Sequence, residues 1–104
     1  MAYQLALAAM ADPSRQEICQ RLKAGPLAVG DIARGMTVSR PAVSQHLKIL
    51  KAAGLVDDRP DGTRRLYYLE PAGLAPLVQW LNGFWDDALI EFKNEVERMG
   101  KEKT

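Results

Sequence analysis

The chain has 104 residues, with one histidine, His46, and one cysteine, Cys19. That is a thin stock for covalent or metal chemistry. No Gly-rich phosphate loop and no Ser/His/Asp ordering accompanies them. The carboxylate pairs Asp57-Asp58 and Asp86-Asp87 are neighbours in sequence, which suits solvation better than catalysis. An enzyme is therefore the reading these side chains support least. One cysteine excludes a disulfide or a thiolate metal cluster within this chain and fits a reducing compartment. Without a basic neighbour close in sequence, Cys19 reads as a small core residue. What the chain does offer is hydrogen bonding at regular spacing. From Ser39 to Ala53, at about 100° per residue, Val43, Leu47 and Leu50 fall on one stripe. Pro41, Ser44, Gln45 and Lys48 fall on the opposite stripe, with Lys51 at its edge. One face is built for a core; the other can donate and accept hydrogen bonds outside it.

The charge pattern agrees with a polyanion partner at that place. The net charge is only +1. Yet Val38 to Leu69 carries six basic and three acidic residues, whereas Glu70 onward carries four basic and seven acidic. A basic middle beside an acidic tail localises the attraction.

The elements that position this helix can be read in order. Tyr3 to Ala11 suits an amphipathic helix. Its apolar run resembles a signal peptide, but no Lys or Arg precedes it and the run is short. No stretch approaches the ~20 apolar residues needed to span a bilayer, so a cytoplasmic location is expected. Asp12 and Pro13 start a second helix, with Ile18, Cys19 and Leu22 inward, and Gly25-Pro26 ends it. Leu27 to Met36 reads as a short third helix with Val29, Ile32 and Ala33 inward, loosened by Gly35. Thr37-Val38-Ser39 forms a turn, Ser39 caps the fourth helix, and Gly54 stops it. Two β-prone runs flank Pro60-Asp61-Gly62, a hairpin signal. Leu66 and Tyr68 share one face; Arg65, Tyr67 and Leu69 share the other. From Glu70 onward the pattern is helical, with Pro71 and Pro76 delaying or kinking the start.

Two helices joined by a tight turn, followed by an arginine-bearing hairpin, make a winged helix-turn-helix: mainly α with a small β-hairpin. One α-helix fits the major groove of DNA, where base edges present donors and acceptors. Ser44 and Gln45 suit those edges, and Lys48 and Lys51 suit phosphate or guanine. Ser39, Arg40 and Pro41 open the helix, where backbone N–H groups also favour phosphate. Arg59, Arg64, Arg65 and Tyr67 on the hairpin would reach flanking phosphates or the minor groove. His46 lies at the flank of the core stripe, near Ala42 and Ile49. It is expected to be structural or to touch phosphate, and its titration is a route by which pH would alter DNA affinity.

Asp12-Pro13-Ser14-Arg15, the run Ser39 to Leu50 ("SRPAVSQHLKIL"), Ala53-Gly54-Leu55-Val56 and Gly62 to Leu69 ("GTRRLYYL") resemble the ArsR/SmtB family of bacterial repressors. The resemblance covers nearly the whole chain. It implies a homodimer on operator DNA that blocks transcription, with the first and last helices at the dimer contact. The expected domain is one winged helix-turn-helix over residues 1–104. Its reading head covers about 28–69 and its dimerisation helices about 3–11 and 71–100. The metal-sensing members carry Cys-x-Cys at the start of the third helix; here Ala28 and Gly30 stand at those positions. Other members bind zinc through the last helix, but this one has Asp86, Asp87 and Glu91 and no histidine. Zinc prefers Cys and His, so no metal and no cofactor are expected. The tail "WLNGFWDDALIEFK", Trp80 to Lys93, resembles the metal-independent branch, whose members often act as simple autorepressors.

The last helix has more apolar surface than one small core can bury. Leu74, Leu77, Val78, Leu81, Trp85, Leu89, Phe92, Val96 and Met99 recur at three- and four-residue steps, and Trp80, Phe84 and Ile90 widen the stripe. A second subunit is the expected cover, with Tyr3, Leu7, Leu77, Leu81, Phe84, Trp85, Leu89 and Phe92 at the contact. The partners expected are thus pseudo-palindromic double-stranded DNA and a second copy of the chain. A small apolar effector around Trp80, Phe84 and Trp85 is a further expectation, and plain packing of those rings is its alternative. The competing function is a winged-helix protein-interaction module that does not bind DNA, motivated by the acidic, apolar last helix.

Overall fold

The computed structural model describes residues 2–102. The outermost residues of the expected domain, 1, 103 and 104, lie outside the described residues. The order is α1 (Ala2–Met10), α2 (Pro13–Leu22), β1 (Leu27–Ala28), α3 (Val29–Ala33), α4 (Arg40–Ala52), β2 (Val56–Asp61), β3 (Arg64–Leu69) and α5 (Pro71–Glu102).

Local chemistry sets these boundaries. Asp12 sits at the N-cap of α2, its carboxylate accepting from Arg15 N–H at 3.0 Å, with Pro13 next. Ser39 caps α4 in the same way, accepting from Ala42 N–H at 3.3 Å. At the far end Gly54 takes φ +79°, a left-handed turn that costs glycine little. Helix α5 begins at Pro71 and runs unbroken through Pro76, so neither proline delays it as the sequence suggests. Proline at the first helical position lacks only an N–H that has no partner there anyway, and Ala72 N–H finds Glu70 Oε1 at 3.3 Å.

The expected hairpin is part of a three-stranded antiparallel sheet in the order β1-β3-β2. Leu27-Ala28, expected to open the third helix, instead pairs with Tyr67 and Leu66. The turn falls at Gly62-Thr63 rather than Pro60-Asp61-Gly62, because Asp61 pairs with Arg64. Gly62 at φ +63°, followed by a residue of negative φ, is the pattern of a type II′ hairpin turn. Pro60 lies inside β2, which tolerates it because β2 is an edge strand.

One core unites these pieces. Ile18, Leu22, Ile32, Val43, Leu47, Leu50, Leu55 and Val56 are buried, joined by Ala6 and Ala9 of α1 and Leu77 of α5. The stripe read for α4 is thus its core face. Val29, Ala33 and Cys19 are half-buried at the core's margin. The Cys19 thiol lies 3.8 Å from Met10 Sδ, and burial raises its pKa, which disfavours the reactive thiolate.

Candidate nucleic-acid interface

Packing decides which side of α4 faces out. With Val43, Leu47 and Leu50 fixed in the core, the 3.6-residue repeat leaves Pro41, Ser44, Gln45, Lys48 and Lys51 exposed along about 15 Å of helix. Short helix α3 sits before it, and the chain between them turns through Gly35 at φ +85°. Arg21 of α2 steadies that turn by donating to Arg34 O at 2.9 Å. The side chains of Ser44, Gln45 and Lys48 make no hydrogen bond or ion pair with the other described residues. Their polar groups are left to water or to a partner.

The ends of this face differ. Ser39 spends its hydroxyl on the cap. Exposed Arg40 lays its guanidinium over Gly30, close enough that a Cβ there would be 3.6 Å from it. His46 is half-buried, with Nδ1 3.3 Å from Arg15 Nη1. Arginine can only donate, so Nδ1 is the acceptor in this contact. Arg15 also donates through Nε to Ala9 O at 2.6 Å. This histidine ties α4 to α2 and the end of α1.

The hairpin cations are less free than their number suggests. Arg59 lies 5.8 Å from the Tyr68 ring centre, at cation–π distance. Arg64 pairs with Asp61 at 3.3 Å and Asp31 at 3.6 Å; such exposed pairs are weak and yield to a competing anion. Arg65 and Lys51 both pair with Asp58, Lys51 at 2.6 Å. Tyr67 packs against the core and opposes Asp58 across the ladder, so it is a support of the wing more than a free contact group. Asp58 itself was not legible as special. The sequence reads the Asp57-Asp58 pair as solvated, yet the Asp58 side chain is only 6% exposed.

Hydrogen bonds from Lys51 and then Arg65 hold the Asp58 carboxyl below the ordinary carboxylate range. A depressed carboxylate adds stability above its unfolded value of about 3.9 and loses it as pH falls through the lower folded value. The same bonds push Lys51 above its ordinary range. Its contribution is full below about pH 10.4 and fades as pH rises through the raised value. The Lys51–Asp58–Arg65 group is therefore intact between those limits. Thermal melts of Asp58→Asn are expected to lose part of the wild type's acid sensitivity below about pH 4. Identical acid limbs for the two proteins would contradict that assignment.

The last helix presents the apolar surface anticipated. Leu81, Phe84, Trp85, Leu89 and Phe92 are exposed, with Phe92 at 68%, and Leu7 of α1 is exposed as well. Two other residues expected at the subunit contact also make contacts within the protomer. Leu77 is buried in the core, and half-buried Tyr3 stacks on Trp80 at 5.1 Å. Trp80 stacks on Phe84 and Phe84 meets Trp85 edge-on, each pair with ring centres 6.0 Å apart. Among the described residues, no three His, Cys, Asp or Glu side chains group to hold a metal. No described helix is long and apolar enough to cross a membrane.

A helix-turn-helix whose second helix turns a polar face outward, flanked by a small antiparallel sheet, defines the winged helix-turn-helix class. Comparison with known proteins agrees. A family described as a helix-turn-helix domain matches residues 10–59. The HTH-type transcriptional regulator Rv2034 of Mycobacterium tuberculosis is 55% identical over 92 residues, 88% of this chain and 86% of that protein. The transcriptional repressor SdpR of Bacillus subtilis is 37% identical over 76 residues, 73% of this chain and 84% of that protein. A homodimeric winged helix-turn-helix DNA-binding domain from Mycobacterium bovis, described as a possible ArsR-family regulator, matches with a TM-score of 0.66 at 30% identity. That match covers 85% of this chain and 82% of the other. The chain belongs to the ArsR/SmtB family of transcriptional regulators.

Proposed function

We infer that the protein is a sequence-specific, DNA-binding transcriptional repressor. It acts as a homodimer, sets one α4 into each of two major grooves, and excludes the transcription machinery from the DNA it covers. The observation that carries this reading is the outward face of α4, where Ser44, Gln45 and Lys48 are exposed and unpaired among the described residues. Ser44 and Gln45 offer donors and acceptors to base edges; Lys48 and Arg40 supply positive charge to phosphate or guanine. Arg59 and Arg64 extend the contact to flanking phosphates. The operator has approximate twofold symmetry because the reader does. Such a protein works in the bacterial cytoplasm.

The same reading assigns no metal sensing to this chain. Ala28 and Gly30 carry no ligand atoms, and Gly30 lies under the Arg40 guanidinium. The protein needs neither metal nor cofactor to occupy DNA. Adding a chelator is expected to leave operator affinity unchanged.

Gln45→Ala tests the assignment at its centre. It is expected to weaken binding to the best sequence by about 1–3 kcal/mol while leaving non-specific binding nearly intact. Competition titrations with matched and mismatched duplexes measure both. Equal losses on all duplexes would remove Gln45 from base reading. Wild-type affinity is also expected to fall steeply with salt, by roughly 0.9 power of concentration for each phosphate neutralised.

A further inference from the structure

We propose that Asp58 is an anionic latch that holds the wing against the recognition helix and raises sequence discrimination by withholding Lys51 and Arg65 from DNA phosphates. The proposal rests on the DNA-binding reading above and adds a determinant of specificity to it.

The three residues come from three elements. Lys51 lies in the last turn of α4, Asp58 in β2 and Arg65 in β3. Asp58 salt-bridges both cations at once. Its partners are half-exposed, while Asp58 itself is 6% exposed beneath them. A surface carboxylate would surrender its cations to a phosphate at little cost. A carboxylate that two cations cover together yields less readily, because each still holds it while the other is displaced. Arg64 shows the contrast: its partners Asp31 and Asp61 keep 36% and 51% of their side-chain surface exposed.

The consequence is selective. Non-specific binding is almost wholly a matter of phosphates neutralised and counterions released. Holding back two of the six cations between Val38 and Leu69 therefore weakens binding to any sequence. Base reading by Gln45 and Ser44 does not use those two charges. It does use the angle between α4 and the wing, which the latch fixes by joining the end of one to the strands of the other. The withheld charge costs every sequence alike, whereas the fixed angle favours only the right one, so their ratio rises.

The test compares wild type and Asp58→Asn, which removes the charge at nearly constant shape. Each is titrated with a random-sequence duplex and with the selected operator across a salt series. For Asp58→Asn on random sequence, the slope of log affinity against log salt is expected to steepen by up to about 1.8, two phosphates' worth. Affinity near 0.15 M salt is expected to rise about tenfold. Operator affinity changes less, so discrimination drops. An unchanged slope, or parallel changes in affinity on both duplexes, overturns the latch and leaves Asp58 a structural residue only.

If Asp58→Asn does not fold, Lys51→Gln decides the matter. Under the latch it lowers the random-sequence slope by far less than the ~0.9 lost with Lys48→Gln. An equal loss from the two overturns the proposal. Failure of wild type to bind any duplex at low salt would instead refute the underlying DNA-binding function.

Discussion

Replacing Gly73 with alanine is expected to destabilise the protein by about 3 kcal/mol or more and to lower its melting temperature on the order of 15 °C. Gly73, in the first turns of α5, rests on Gly54, the residue that ends α4. A Cβ on Gly73 would fall 1.6 Å from Gly54 O and 2.4 Å from its carbonyl carbon. Both obstacles are backbone, so no side chain can swing aside. Relief requires α5 to lift from the end of α4, which would also draw Leu77 and Leu74 away from the core they meet. Gly54→Ala is the instructive contrast. Its Cβ would lie 3.8 Å from Gly73 Cα, an ordinary contact. Only the strain of φ +79° remains, about 1–2 kcal/mol. Melting curves at one protein concentration measure both, and a Gly73→Ala cost no larger than that of Gly54→Ala would contradict the contact. The junction matters for function as well. It seats α5 directly on the end of α4 through backbone and not through adjustable side chains.

The second large effect concerns that dimer. Leu89→Glu is expected to give a monomer whose operator affinity is lower by about a hundredfold or more. Leu89 is 59% exposed in the protomer, and the residues of α5 around it lie away from the core. A charge there should spare the reading head and strike only the contact between copies. The exposed run from Val78 to Met99 holds nine large apolar side chains besides Trp80, which stacks on Tyr3. A continuous apolar stripe of that length is uncommon on a surface that stays in water. Two linked heads gain affinity because the second binds at a high effective concentration once the first is seated. Sedimentation and DNA titration read the two consequences separately. A variant that stays dimeric, or a monomer that binds within threefold of wild type, would remove α5 from this role.

Much of the architecture was legible because it is governed by local chemistry. Ser39, Pro41 and Gly54 bracket α4 to within a residue, and the alternation of its two faces follows from the helical repeat alone. What escaped was governed by contacts distant in sequence. Strand β1 is two residues long, too short for any periodicity, and it exists only because Leu66 and Tyr67 of β3 are there to pair with it. The hairpin turn moved because a two-residue loop fits the twist of the strands better than the Pro60-centred turn that composition suggests. The candidate interface shows the same division. Gln45 and Lys48 were found from their position on a wheel. The partners of Lys51 and Arg65 were not, because Asp58 reads as an ordinary surface carboxylate until the sheet folds it under two cations. Leu77 and Leu81 are equally apolar in sequence, and only the docking of α1 on α5 decides that the first is core and the second is not.

The account stands on paired α4 helices reading a duplex. Selection of bound sequences from a random pool of duplex DNA by the full-length protein measures this directly. The predicted result is an inverted repeat whose half-sites lie about 10–10.5 base pairs, or a multiple of that, from centre to centre. Enrichment of no sequence, or of a single unrepeated site, would contradict it.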